Sequence, residues 1–189
     1  LARIATPNPD FIALPDPEPA QARPLVFDPR VLALGPDQAV QWASDNIRQA
    51  LAAVPGVIVS GDVGLRASGS VLASSTGIAL ARSSTRVSTG YFCVIKNDGT
   101  VGSFADHDST RFLDDFEPAG IAERTARRAL DYRNPRKIAT GRTTLVLGPL
   151  AAFGLLSALA SAANAEAMQR KRSLFADKLN AVVAPEFLT

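Results

Sequence analysis

Between Asp37 and Val54 the apolar residues Val40, Ala43, Ile47, Ala50, Leu51 and Val54 return every three or four positions. That spacing puts them on one face of a helix. Pro36 sits at its start, where a missing N–H costs nothing, and Pro55-Gly56 ends it. From Val57 to Phe104 the period shortens to two. Val57–Ser60, Leu65–Ser75, Ile78–Ser83, Arg86–Lys96 and Thr100–Ala105 read as strands, with turns at Thr76-Gly77 and Asn97-Asp98-Gly99. Many of their polar positions are Ser or Thr, as on a sheet with one side open to solvent or a partner. Helical spacing returns with Ile121, Ala122, Thr125, Ala126, Ala129 and Leu130. Asp114 or Asp115 is the expected cap of this helix, with Glu117 and Pro118 in its first turn and Arg124, Arg127 and Arg128 facing outward. After Asn134-Pro135 comes a polar linker. Thr144–Leu147 then predicts a short strand, Gly148-Pro149 a turn, and Leu150–Ala163 an apolar helix, with a second short helix starting after Ser173.

The elements predict an α+β fold: an antiparallel β-meander flanked by helices, followed by the first strand and helix of a second domain. Three segments follow. Residues 1–36 are a Pro-rich extended arm that carries enough apolar residues, Phe11, Ile12, Leu14 and Phe27 among them, to lie on a domain surface. Residues 37–134 form a central α+β domain, and 143–189 begin a second one. The chain starts at Leu1 and stops at Phe187-Leu188-Thr189, which reads as the beginning of a strand, so a piece of a longer protein is expected.

Composition removes several function classes. A formal net charge of +2 over 189 residues is too weak to imply nucleic acid. One cysteine, Cys93, allows no internal disulfide and makes a reducing, cytoplasmic setting the default. The uncharged run Leu150–Ala163 is rich in Ala and falls short of the roughly 20 residues that a bilayer requires, so it predicts a buried helix and no membrane span. No GxGxxG, P-loop, CxxC pair or GxSxG is present.

Candidate chemistry is thin. His107, with Asp106, Asp108, Asp114 and Asp115 nearby, matches no zinc spacing and reads as an exposed loop histidine. Cys93, among Tyr91, Phe92, Val94 and Ile95, reads as a buried thiol without a base. The basic residues form two runs: Arg124 to Lys137, a solvated helix face and linker, and Arg170, Lys171 and Arg172 with Ser173 behind them, which suit contact with a partner or peptide. No catalytic residue emerges.

Several short stretches, in this order, carry a resemblance. Phe27-Asp28-Pro29, Ser74-Ser75-Thr76-Gly77-Ile78, the acidic-start helix through Leu130, Val146-Leu147-Gly148-Pro149 and Arg172-Ser173-Leu174-Phe175 together resemble the TldD/PmbA family of metallopeptidases. In the family's catalytic members the helix after the Gly-Pro turn carries HExxxH, whose His residues bind zinc and whose Glu activates water. Here that window is Ser157, Ala158, Leu159, Ala160, Ser161 and Ala162. The resemblance therefore implies a TldE/PmbA-like subunit with no cofactor of its own. Its zinc would sit in a TldD-like partner, or it would form a homodimer, and an extended unfolded or leader-type peptide would be the substrate. A stand-alone binding module, or a hydrolase whose active residues lie beyond residue 189, are the alternatives.

Overall fold

A computed structural model describes residues 6, 11–18, 26–97, 99–178 and 180–185. The remainder of the arm, Asp98 of the predicted turn, Leu179 and the Phe187–Thr189 strand start lie outside the described residues. The chain divides into two compact units, 1–137 and 138–189.

The first unit is built on one antiparallel sheet of order β1-β2-β3: β1 Ile58–Ala73, β2 Ala79–Asn97 and β3 Thr100–Thr110. The five expected strand segments are three. Gly61, Gly64 and the Ser-rich stretches look like breaks in the sequence, yet β1 and β2 pair without interruption from Ile58↔Val94 to Ala73↔Ala79. Gly61 is needed for packing. A Cβ there would lie 2.3 Å from the Gly90 carbonyl oxygen and 2.5 Å from the Tyr91 ring, so the glycine makes room for that ring. β3 also continues past Ala105, pairing Asp108 with Thr89 and Thr110 with Val87.

One sheet face is dry. Val87, Thr89, Tyr91, Cys93 and Ile95 alternate along β2 and are all buried. Tyr91, Cys93 and Ile95 share one core with Ala50 of α2, Pro36–Ala53, its C-cap Val54, and Ile121, Ala122, Ala126 and Ala129 of α3, Ile121–Asp131. In α3, Ile121, Ala122, Thr125, Ala126 and Ala129 are buried while Leu130 is largely exposed. Its small residues allow close approach: a Cβ on Gly102 of β3 would fall 2.0 Å from the Ala129 carbonyl oxygen. Phe104 closes the other end, stacked on Tyr132 with the Arg128 guanidinium 5.1 Å from its ring centre.

Two expectations about these helices need correction. The face of α2 that enters the core holds Asn46, Ala50 and the C-cap Val54, whereas Val40, Ile47 and Leu51 point outward. Periodicity identified the helix but placed its buried stripe about one position off, because polar Asn46 is bonded in the core. Nor does Asp114 or Asp115 cap α3. Both lie in a 3-10 turn, Leu113–Asp115, and the cap is Gly120 at φ 74, with Glu123 in the first turn. The acidic residue Asp114 is instead engaged by Arg30.

The arm is fastened by a buried polar cluster. Asp28, 4% exposed, caps the short helix α1 Pro29–Ala33 by accepting from the Arg30 N–H at 3.0 Å. Its other oxygen accepts from the Leu113 N–H at 3.0 Å. Its own N–H donates to Thr85 Oγ1 at 2.8 Å, and the Thr85 N–H donates to the Val26 carbonyl at 3.0 Å. The Arg30 guanidinium bridges Asp28 and Asp114, each at 2.8 Å. It holds both carboxyl groups well below the usual carboxylate range, aided at Asp28 by the Leu113 N–H. Further out, Thr76 Oγ1 donates to the Pro15 carbonyl at 2.8 Å.

The second unit contains α4 Pro149–Ala162 and α5 Ala165–Gln169. Residues 144–147, expected as a strand, belong to no ladder among the described residues, since no strand of this unit lies beside them. The expected burial of the apolar helix is also not seen. Within its unit α4 buries nothing fully, and Leu150, Phe153, Leu155 and Leu156 are exposed. Two short helices offer no sheet to pack on. The second helix precedes the basic residues instead of following Ser173. Asn164 is the reason: its side chain accepts from the N–H groups of Glu166 and Ala167, which ends one helix and starts the next. No described helix is long and apolar enough to cross a membrane.

Candidate functional site

Three places in the fold could carry function. The first is α4, where the resemblance locates a metal helix. Ser157 and Ala162 are half-buried and Ala158 is exposed. None of the three offers an imidazole, thiolate or carboxylate, and the whole helix contains only Pro, Leu, Ala, Phe, Gly and Ser. The chain has a single histidine, so two imidazole ligands could not come from it. Among the described residues no group of three or more His, Cys, Asp or Glu side chains is placed to hold a metal ion. These residues do not fit zinc.

The second is the basic turn after α5. Arg170 pairs with Glu166 at 3.1 Å across one helical turn, Lys171 takes φ 54, and the Arg172 N–H donates to the Ala167 carbonyl at 2.8 Å. Ser173 Oγ donates to the Ala162 carbonyl and accepts from the Phe175 N–H at 2.9 Å. Ser173 thus satisfies a carbonyl at the end of α4. The side chains of Lys171 and Arg172 are exposed.

The third is the face of the sheet turned away from α2 and α3. Here Ser60, Asp62, Gly90, Phe92, Ala105 and His107 surround a shallow hollow of about 410 Å³. Its floor is Gly90, whose strand neighbours are Asp62 on β1 and His107 on β3. A Cβ on Gly90 would touch that of His107 at 3.4 Å. His107 is therefore a strand residue flanking a notch. The loop expectation failed because β3 runs further than its apolar residues do. Cys93 is on the opposite, buried face. Burial pushes its thiol up, and among the described residues its hydrogen-bond partner is the Ala122 carbonyl at 3.8 Å, so it is not poised as a nucleophile.

Beyond the notch the same face carries a feature that chain order conceals. Arg66 and Arg86 stand directly opposite each other in the β1–β2 ladder. Arg111 follows the last β2–β3 pair, Val87↔Thr110, at the position that would next face Arg86. Among the described residues no carboxylate lies within 4.0 Å of any of these three. These arginines are dispersed in sequence, and only the strand register aligns them.

Comparison with known proteins agrees with the fold. The chain is similar to a candidate modulator of DNA gyrase from Bacteroides thetaiotaomicron, with 24% identity, a TM-score of 0.85, and coverage of 96% of this chain and 43% of that one. TldE from Thermococcus kodakarensis matches at 20% identity and TM-score 0.59, over 68% of this chain and 29% of its own. A second candidate gyrase modulator, from Thermotoga maritima, matches at 14% identity and TM-score 0.58, over 69% and 30%. The chain thus spans less than half the length of these solved relatives. No curated protein sequence matches it. Residues 140–189 match the model of the PmbA/TldA metallopeptidase C-terminal domain. Residues 29–132, more than half of the chain, match that of the central domain, and the chain belongs to the TldD/PmbA (PmbA/TldA) metallopeptidase family.

Proposed function

We propose that this chain is part of a non-catalytic, TldE/PmbA-like subunit that completes a peptide cleft beside a zinc-bearing partner. One observation carries the reading. The helix that follows Gly148-Pro149, inside the segment matched as a metallopeptidase C-terminal domain, has Ser157, Ala158 and Ala162 where the family resemblance requires His, Glu and His. A zinc peptidase site needs nitrogen, sulfur or carboxylate ligands and a general base. A hydroxyl and two methyl groups supply neither, so no catalytic step is derived through a metal here. What remains of the helix is an apolar rod, exposed within its own unit and suited to packing. The cytoplasmic setting and the pairing with a TldD-like subunit belong to the same proposal.

Elemental analysis of the purified chain tests it. The expected result is zinc far below one ion per chain, and binding to a zinc-bearing family member when the two are mixed. One tightly held zinc per chain would overturn the assignment. A chain that never associates with such a homologue would favour the stand-alone module instead.

A further inference from the structure

We propose that the open face of the sheet is a docking site for an acidic, extended peptide segment, with Arg66, Arg86 and Arg111 as the anion-binding row. Like charges placed directly opposite in a ladder are destabilising. Strands lie about 4.8 Å apart, so opposed arginine side chains leave the sheet as close neighbours. Here Arg66 and Arg86 are both exposed and opposed. No described carboxylate lies within 4.0 Å of them, and Asp62 on the same face stands two same-face positions along β1 from Arg66, about 13 Å away. A row of cations kept without a counter-charge is suited to an anion from outside.

The row is organised. Arg86 Nη1 donates to Ser109 Oγ at 3.0 Å, and Arg111 Nη1 donates to the Thr85 carbonyl at 3.4 Å. These bonds leave most of each fork free. Two pairs further along the same face is Arg82, opposite Ser70. Successive side chains of one face are about 6.7 Å apart along a strand, so Arg82 lies about 13 Å from Arg86. Between them Ser68 and Ser84 share a hydroxyl bond at 3.1 Å.

The flanks decide between a peptide and a nucleic acid. Beyond Arg82 the face ends on Leu72 and Leu80, opposed and 57% and 49% exposed. At the other end Phe92 is 48% and Ile58 56% exposed. A phosphate backbone has nothing to bury on such surfaces. An extended peptide with acidic residues at its centre and apolar residues at its two ends matches both the arginines and their apolar borders. The occupant being a peptide rests on the family-level reading above; the anion row does not depend on whether this chain binds zinc.

The test is fluorescence anisotropy on the whole chain with a labelled peptide whose central Glu residues are flanked by Val at both ends. A Lys/Val peptide and a DNA duplex are the comparisons. Saturable binding of the acidic peptide that weakens with added salt is expected. The double variant Arg66→Ser/Arg86→Ser should lose at least about tenfold in affinity. Arg66→Glu separates binding from folding. It turns a like-charge pair into an opposite one, so the variant should melt no lower than the parent while losing the peptide. Equal binding of the Lys/Val peptide, binding of the duplex in preference to the acidic peptide, or an Arg66→Glu chain that binds as the parent does would each overturn the proposal. None of these results bears on the zinc measurement, so the two readings fail separately.

Discussion

Asn46 is the buried side chain on which α2 and α3 depend most directly. It is 1% exposed and bonds to three backbone groups. Its Nδ2 donates to the Pro118 carbonyl at 2.6 Å and to the Trp42 carbonyl at 3.0 Å, and its Oδ1 accepts from the Ala122 N–H at 3.2 Å. The α3 cap, Gly120, has no side chain, so Asn46 supplies from another helix the acceptor that a Ser or Asp cap would give locally. Replacing Asn46 by Ala leaves the Ala122 N–H and the Pro118 carbonyl without partners. The Trp42 carbonyl is a lesser loss, since the helix ladder already uses it. One buried and one part-buried orphan, at about 1–3 kcal/mol each before relief by water at the latter, give an expected loss of about 2–4 kcal/mol.

Urea unfolding followed by tryptophan emission measures this, because Trp42 is the only tryptophan and packs edge-on against Phe116 at 5.4 Å. Gln49 is the internal control. Its Oε1 accepts from the Gly120 N–H at 3.1 Å at the same helix end, but the side chain is exposed. Gln49→Ala should cost no more than about 0.5 kcal/mol, since water can replace the bond. If Asn46→Ala costs under about 1 kcal/mol at an unchanged denaturant slope, or no more than Gln49→Ala, burial is not what gives these bonds their weight.

Four further outcomes are expected. Gly102→Ala forces a methyl against backbone atoms of α3 that cannot rotate away, so it should cost about 3 kcal/mol or prevent folding; unchanged urea unfolding would contradict the close contact. Tyr91→Phe removes a buried hydroxyl that has no hydrogen-bond partner among the described residues, and should leave stability equal or raise it by up to about 1 kcal/mol in the same urea assay. Asp28 and Asp114 are held below their ordinary range, so they contribute stability above the unfolded carboxylate value of about 3.9 that is lost as pH falls toward their lower folded values. The melting temperature should therefore drop progressively as pH falls below about 4, and less steeply in Asp28→Asn. Ser173→Ala should speed amide exchange at Phe175, whose N–H loses its acceptor, without changing exchange in the first unit.

How legible each part was depends on which interactions decide it. Helices α2 and α3 could be read because a period of 3.6 is local. Which face of α2 goes inward could not, because that turns on Asn46 reaching Ala122, 76 residues away. The sheet's existence was legible from alternation, its strand lengths were not. Gly61 and Gly64 break a pattern of side chains but not a backbone ladder, and the opposing Gly90 carbonyl and Tyr91 ring explain why a glycine is required at Gly61. The arm's helix α1 was missed inside a Pro-rich stretch, although Asp28-Pro29 is a cap followed by a proline at the first helical position.

The candidate sites divide along the same line. The absence of ligands from α4 is a property of composition, and one histidine in the whole chain was enough to see it. The arginine row is a property of register. Shifting the β1–β2 pairing by one residue would send Arg66 to the opposite face, and extending the apolar segments alone would never have set Arg111 beside Arg86. The contiguous basic run Arg170–Arg172 draws attention in sequence, yet Arg170 is paired locally with Glu166. Among the described residues Arg66, Arg86 and Arg111 have no carboxylate within 4.0 Å. Charge that chain order concentrates can be neutralised within one helical turn, whereas charge concentrated by a ladder has no such local remedy. Lys171 and Arg172 stay exposed on one short turn, whereas Arg66, Arg86 and Arg82 share one broad sheet face with apolar ends, so the sheet face is the stronger claim to a partner.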